Sequence, residues 1–207
     1  VVNFGRIYRV VHKKRPLDKG PDLAKASTKV LVETLSHASG WYRDTAQRVL
    51  VDKAPPSAIA LLKKLALDGK THLGRLHALW TLSGLGYLDL ELLDKVLKKE
   101  TTGKVLVAAI RLCEPVLKTW EQDEALTAIL RHADSKNADV KVQIALSLSA
   151  VENPKAIQAL VRLAVDHSGN RAIRDGIISG MPGREGTFIS ALLNHKAFAN
   201  QNRDRAA

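Results

Sequence analysis

Two segments of the chain concentrate the side chains that could bind or react. GWYRD at 40–44 holds Trp41, Arg43 and Asp44, and GRLHALW at 74–80 holds Arg75, His77 and Trp80. An arginine near a tryptophan suits anion capture or a protein contact, because the guanidinium offers a rigid fork of donors and the indole a broad apolar face. A nucleophile with an adjacent base is missing from both segments. Elsewhere the chain has no Walker A loop, no Gly-x-Gly-x-x-Gly opening a helix after a strand, no Gly-x-Ser-x-Gly elbow and no His-Glu-x-x-His. One cysteine, Cys113, leaves no internal disulfide, no Cys-x-x-Cys-His haem attachment and no Cys-based zinc or iron–sulfur cluster held by this chain alone. His37, His132 and His167 fall at equivalent helix ends, where an imidazole can bond the last free carbonyls. We therefore expect no catalytic, metal or cofactor-binding residue here. The expected docking surface is Trp41, Arg43, Asp44, Arg75, His77 and Trp80.

These residues sit inside a repeating helical pattern. Apolar periodicity predicts helices near 28–38, 42–53, 57–68, 72–85, 89–99, 104–118, 122–133, 138–151, 155–167, 171–180 and 185–196. Breakers such as Gly40, Pro55-Pro56, Gly69, Gly86, Gly103 and Asn153-Pro154 part them. Short gaps favour antiparallel hairpins. Aligning the second helix of each hairpin on one small residue gives Ala46, Ala78, Ala109, Ala145 and Gly176, at spacings of 32, 31, 36 and 31. Three residues earlier the column reads Arg43, Arg75, Leu106, Val142 and Ile173. It should face the stack, so the two arginines either form a polar ladder between repeats or point at a partner. Candidate companions are Asp44 and His77.

Composition and charge narrow the classes further. The 207 residues are 45% hydrophobic and 26% charged, an ordinary globular balance, and no apolar run reaches the ~18 residues a membrane span needs. The formal net charge is +11, but eight Lys/Arg against two Asp place +6 of it in residues 1–29. A basic leader on a nearly balanced body argues against a continuous track for phosphates. Residues 1–11, VVNFGRIYRVV, alternate like one strand with nothing to pair with, and 12–27 reads as a basic linker. The helical array fills 28–196, and 197–207 reads as a flexible tail. The chain opens on Val1 and reads as starting inside a longer protein.

The period and layout over 28–196 resemble HEAT repeats: an all-α α-solenoid of about five hairpins and a trailing helix. A second resemblance rests on GRIYRVVHKK at 5–14, GWYRDTAQRVLVDK at 40–53 and GRLHALWTLSGLG at 74–86, in that order. Together they look like the middle of multidomain, membrane-bound dehydrogenase-like or haem-binding proteins of planctomycetes and related bacteria. In that family a β-propeller comes first, a HEAT array follows and a c-type cytochrome domain comes last. The resemblance implies an extracytoplasmic parent, residues 1–11 as the last propeller strand, and the propeller and cytochrome c domains as partners. It carries no catalytic residue into this chain.

The expected function is thus a non-catalytic scaffold or spacer for domain–domain or protein–protein contact within a larger redox protein. The competing expectation is a basic HEAT-like nucleic-acid-binding or DNA-repair module, suggested by Trp41, Trp80, Trp120, Asp44 and a pI of about 9.9.

Overall fold

A computed structural model of the chain describes residues 20–199, together with Val10, Lys13 and Lys14. The strand expected over 1–11 lies outside the described residues except for Val10, and 12 and 15–19 of the linker expected over 12–27 lie outside them too. So does 200–207, whereas 197–199 of the expected tail are helical.

The described chain is all-α, with no strand among the described residues. Eleven α-helices follow one another: α1 (Thr28–Thr34), α2 (Gly40–Lys53), α3 (Ser57–Asp68), α4 (His72–Gly84), α5 (Leu90–Lys99), α6 (Gly103–Leu112), α7 (Gln122–Leu130), α8 (Ala138–Ser149), α9 (Pro154–Asp166), α10 (Arg171–Ser179) and α11 (Glu185–Leu193). Six of the starts are written in short polar side chains. Ser27, Thr71, Asp89, Asn137, Asn153 and Asn170 each accept a hydrogen bond from a first-turn amide that has no partner within its helix. Their ends are written in residues that cannot continue: Ala54 takes φ 43° just before Pro55, and Gly86 takes φ 75° after α4.

The helix expected over 104–118 stops at Leu112 and gives way to a 3-10 turn at Val116–Lys118. Pro115 is the cause, since it has no amide to donate and its ring crowds the preceding turn. Conversely α2 begins at Gly40 rather than 42, with Ser39 at its N-cap.

Packing sorts the helices into two layers. The odd-numbered helices from α1 to α11 each touch the next odd one, and the even-numbered helices from α2 to α10 each touch the next even one. Between the layers runs one continuous apolar core, from Leu31 and Leu35 through Leu62, Leu93 and Ile129 to Leu160 and Ile177. The aligned small residues are all buried in the even helices, and the last two stand against each other where α8 meets α10. Ala46, Ala78, Ala109 and Ala145 are all fully buried, and a Cβ added to Gly176 would stand 3.4 Å from that of Ala145. Small side chains there let helix axes approach closely enough to exclude water from both flanks.

Candidate functional site

The six expected docking residues do not form one patch. They divide into three groups, set by the helix face each occupies.

Arg43, Asp44 and His77 meet where α2 crosses α4. The Arg43 Nε donates to His77 Nε2 at 3.2 Å, while its Nη1 donates to the carbonyls of His37 (2.7 Å) and Ala38 (2.9 Å) at the end of the preceding turn. Because His77 Nε2 accepts, its proton sits on Nδ1 and is donated to Gln47 Oε1 at 2.7 Å. The ring is therefore neutral. Burial, and then the positive charge of Arg43, hold its pKa below the ordinary histidine value, with Asp44 pulling weakly the other way. The Asp44 carboxylate does not touch Arg43; it lies 4.0 Å from His77 Nε2 and is largely exposed. Arg43 is thus held by main-chain carbonyls and an imidazole. Asp44, considered above as its companion, is displaced because Arg43 reaches back toward the turn at 37–38.

Arg75 occupies the same column one repeat on and does something different. Its Nε and Nη2 grip Glu100 at 2.6 and 3.0 Å, its Nη1 donates to the Gly69 carbonyl at 2.7 Å, and Nη2 also reaches Thr102 Oγ1 at 3.3 Å. Glu100 closes α5 and also accepts from the amides of Thr101 and Thr102. Burial raises its pKa, but the Arg75 hydrogen bonds and those from Thr102 outweigh it, and the carboxyl stays below the ordinary glutamate value. The Glu100 side chain is 5% exposed and that of Arg75 17%. Beside the pair opens a cavity of about 270 Å³ lined by Asp68, Gly69, Lys99 and Thr101.

The tryptophans are placed apart. Trp41 is exposed and stands edge-on to Tyr42, whose ring lies 4.5 Å from that of His37. Trp80 is half-buried on α4, with the Arg111 guanidinium 6.0 Å from its ring. Trp120, in the turn before α7, is exposed.

Sequence reasoning missed Glu100, Gln47 and a third polar tie, in which Glu114 Oε1 accepts from Ser147 Oγ (2.9 Å) and Gln143 Nε2 (3.2 Å). A signal for Glu100 existed. It stands six residues before Leu106, as Gly69 stands six before Arg75, so the two occupy the same place in consecutive helix pairs. His132 also departs from the expected role, because its Nε2 lies 2.9 Å from the Leu97 carbonyl of the preceding odd helix rather than at its own helix end. Cys113 is buried, and burial, reinforced by Asp94 and Glu114, pushes its thiol up to about 12. Among the described residues no three His, Cys, Asp or Glu side chains converge on a metal-sized site, and no helix is long and apolar enough to cross a membrane.

Comparison with protein-family models, curated proteins and solved structures gives no match to this chain.

Proposed function

We propose that the chain is a HEAT-like α-solenoid that works as a non-catalytic scaffold, setting the separation and orientation of the domains around it. The observation that carries this reading is the repeat in space. Five small residues at matching register, Ala46 to Gly176, are all buried on even helices that each touch the next, and Gly176 stands against Ala145. Polar ties cross between neighbouring pairs: Arg43 to His77, Arg75 to Glu100, and Ser147 to Glu114. Apolar stacking of similar units can slide by a turn; directional hydrogen bonds at these three junctions penalise that slide.

On the resemblance of 5–14, 40–53 and 74–86, the neighbours are a β-propeller and a c-type cytochrome domain of an extracytoplasmic redox protein. Of the six expected residues, the exposed Trp41 and Asp44 on α2 are then the ones offered to a neighbour, with the half-buried Trp80 on α4 standing apart. Arg43, Arg75 and His77 are engaged in hydrogen bonds within the stack. The test is association in trans: the chain is mixed with separately made propeller and cytochrome c domains of its parent and followed by analytical ultracentrifugation. Saturable association weakened by Trp41→Ala supports the reading. No association with either domain contradicts it.

A further inference from the structure

Charge is distributed unequally between the two helix layers. The odd helices hold eight Lys/Arg against eight Asp/Glu, whereas the even helices hold nine against four. The whole +5 surplus on the helices therefore lies in one layer. Pairing sharpens the contrast. Seven of the eight odd-layer cations have a carboxylate within 4.0 Å, as in Lys63–Asp89, Lys99–Asp68 and Arg162–Asp134. In the even layer only Arg75 and Arg171 do, among the described residues. One layer neutralises itself and the other leaves its positive charge to a partner.

The free charge is also ordered. Arg48 on α2, Trp80 on α4 and Arg111 on α6 each stand two residues past the buried small residue of their helix, Ala46, Ala78 and Ala109. Equal register on helices packed in series puts them in one line across the layer. The guanidinium of Arg111 over the Trp80 ring marks that line between α4 and α6. Arg48 and Arg111 are exposed, and Trp80 is half-buried.

We propose that this line binds an extended acidic segment of a protein partner, with an apolar side chain on Trp80 and a carboxylate on each of Arg48 and Arg111. Helices in contact lie about 8–10 Å apart, so the two arginines are separated by roughly 18 Å. An extended peptide advances about 3.3 Å per residue, which sets the carboxylates some six residues apart with the apolar residue midway. A duplex presents one charge every ~1.7 Å, far denser than two arginines so spaced can use. Trp80 is half-buried with the Arg111 guanidinium over its ring, so it lacks the open face on which a base stacks. The charge pattern therefore favours the peptide. This proposal rests on the scaffold reading in assigning the even layer to a partner, yet its test does not require the propeller or cytochrome domains.

The probe is a fluorescein-labelled peptide, Glu-Ser-Gly-Leu-Ser-Gly-Glu, titrated with the chain at low salt and followed by anisotropy. Saturable binding is expected, with affinity falling about tenfold or more in Arg48→Glu and in Arg111→Glu, as for reversal of a complementary charge. The Gln-for-Glu peptide should not bind, and Lys64→Glu on the exposed side of α3 should leave affinity unchanged. Circular dichroism melts confirm folding, and Arg111→Gln replaces the reversed variant if that fails to fold. Absence of saturable binding, or binding indifferent to both arginines, overturns the proposal. So does an oligothymidine that displaces the peptide and depends on the same arginines more strongly. Failure here with intact association in trans removes only this surface. Peptide binding without that association removes only the propeller and cytochrome assignment.

Discussion

Arg75 and Glu100 join the turn after α3 to the turn after α5 through two hydrogen bonds, at 2.6 and 3.0 Å, made by the same guanidinium that binds the Gly69 carbonyl. One side chain thus reads the ends of two successive odd helices at once. Glu100→Ala would leave that guanidinium largely buried with no carboxylate. The expected destabilisation is about 3 kcal/mol, the lower end for breaking a buried pair, because the Gly69 carbonyl remains. Arg75→Ala should cost a similar amount, and the double variant much less than the sum. Asp44→Ala, at a largely exposed carboxylate that touches no arginine, should change stability by under about 0.5 kcal/mol. Urea melts of the four variants provide the check.

Acid should weaken the fold in two steps. His77 is neutral when folded, with its pKa lowered by burial and by Arg43. Between the folded and unfolded pKa values the unfolded chain holds more protons, so this contribution is complete above about pH 6.5 and is lost as pH falls through the folded pKa. Glu100 is also lowered, so its contribution is present above about pH 4.3 and declines below it. Melting temperature against pH should show both limbs. His77→Gln, which can still accept from Arg43 and donate to Gln47, should flatten the upper one; an unchanged profile would refute the neutral-ring assignment.

Contact between even helices should tolerate no bulk. Ala78 is fully buried, and Ala78→Trp should destabilise by ~3 kcal/mol or more through overpacking. Lys98→Ala removes a solvent-exposed ion pair with Asp94 and should change stability by under about 1 kcal/mol. Equal melting temperatures for the two would mean that Ala78 is not at a helix contact.

Cys113 should be inert in the folded chain. A thiol pushed up to about 12 by burial holds almost no thiolate at neutral pH. Mass spectrometry after iodoacetamide treatment should show no adduct under native conditions and one adduct in guanidinium; rapid native labelling would place the thiol at the surface.

The helices were legible because each rests on local signals. Caps such as Ser27 and Asn170, and stops such as Pro55 and Gly86, lie within a few residues of the boundaries they set. The small-residue column was legible because its period survives substitution, Ala46 to Gly176. Partners of the arginines were harder to see. Asp44 is next to Arg43 in sequence, but helical geometry turns adjacent side chains about 100° apart. Glu100, 25 residues from Arg75, is brought to it only by the stacking of successive pairs. Pro115 is visible in the sequence, but the apolar period running past it over 104–118 hides the break that it makes after Leu112. Division of charge between layers needs both the helix limits and their pairing, so no single window of sequence contains it.

The central claim is that the stacked helices form one stiff body able to hold its neighbours apart. Spin labels on Lys29→Cys and Ser190→Cys, both exposed and on α1 and α11, report its span, since buried Cys113 takes no label. Pulsed electron–electron double resonance on the doubly labelled chain should give a single narrow distance distribution that Glu100→Ala broadens. A broad or multi-peaked distribution in the parent chain would contradict the account.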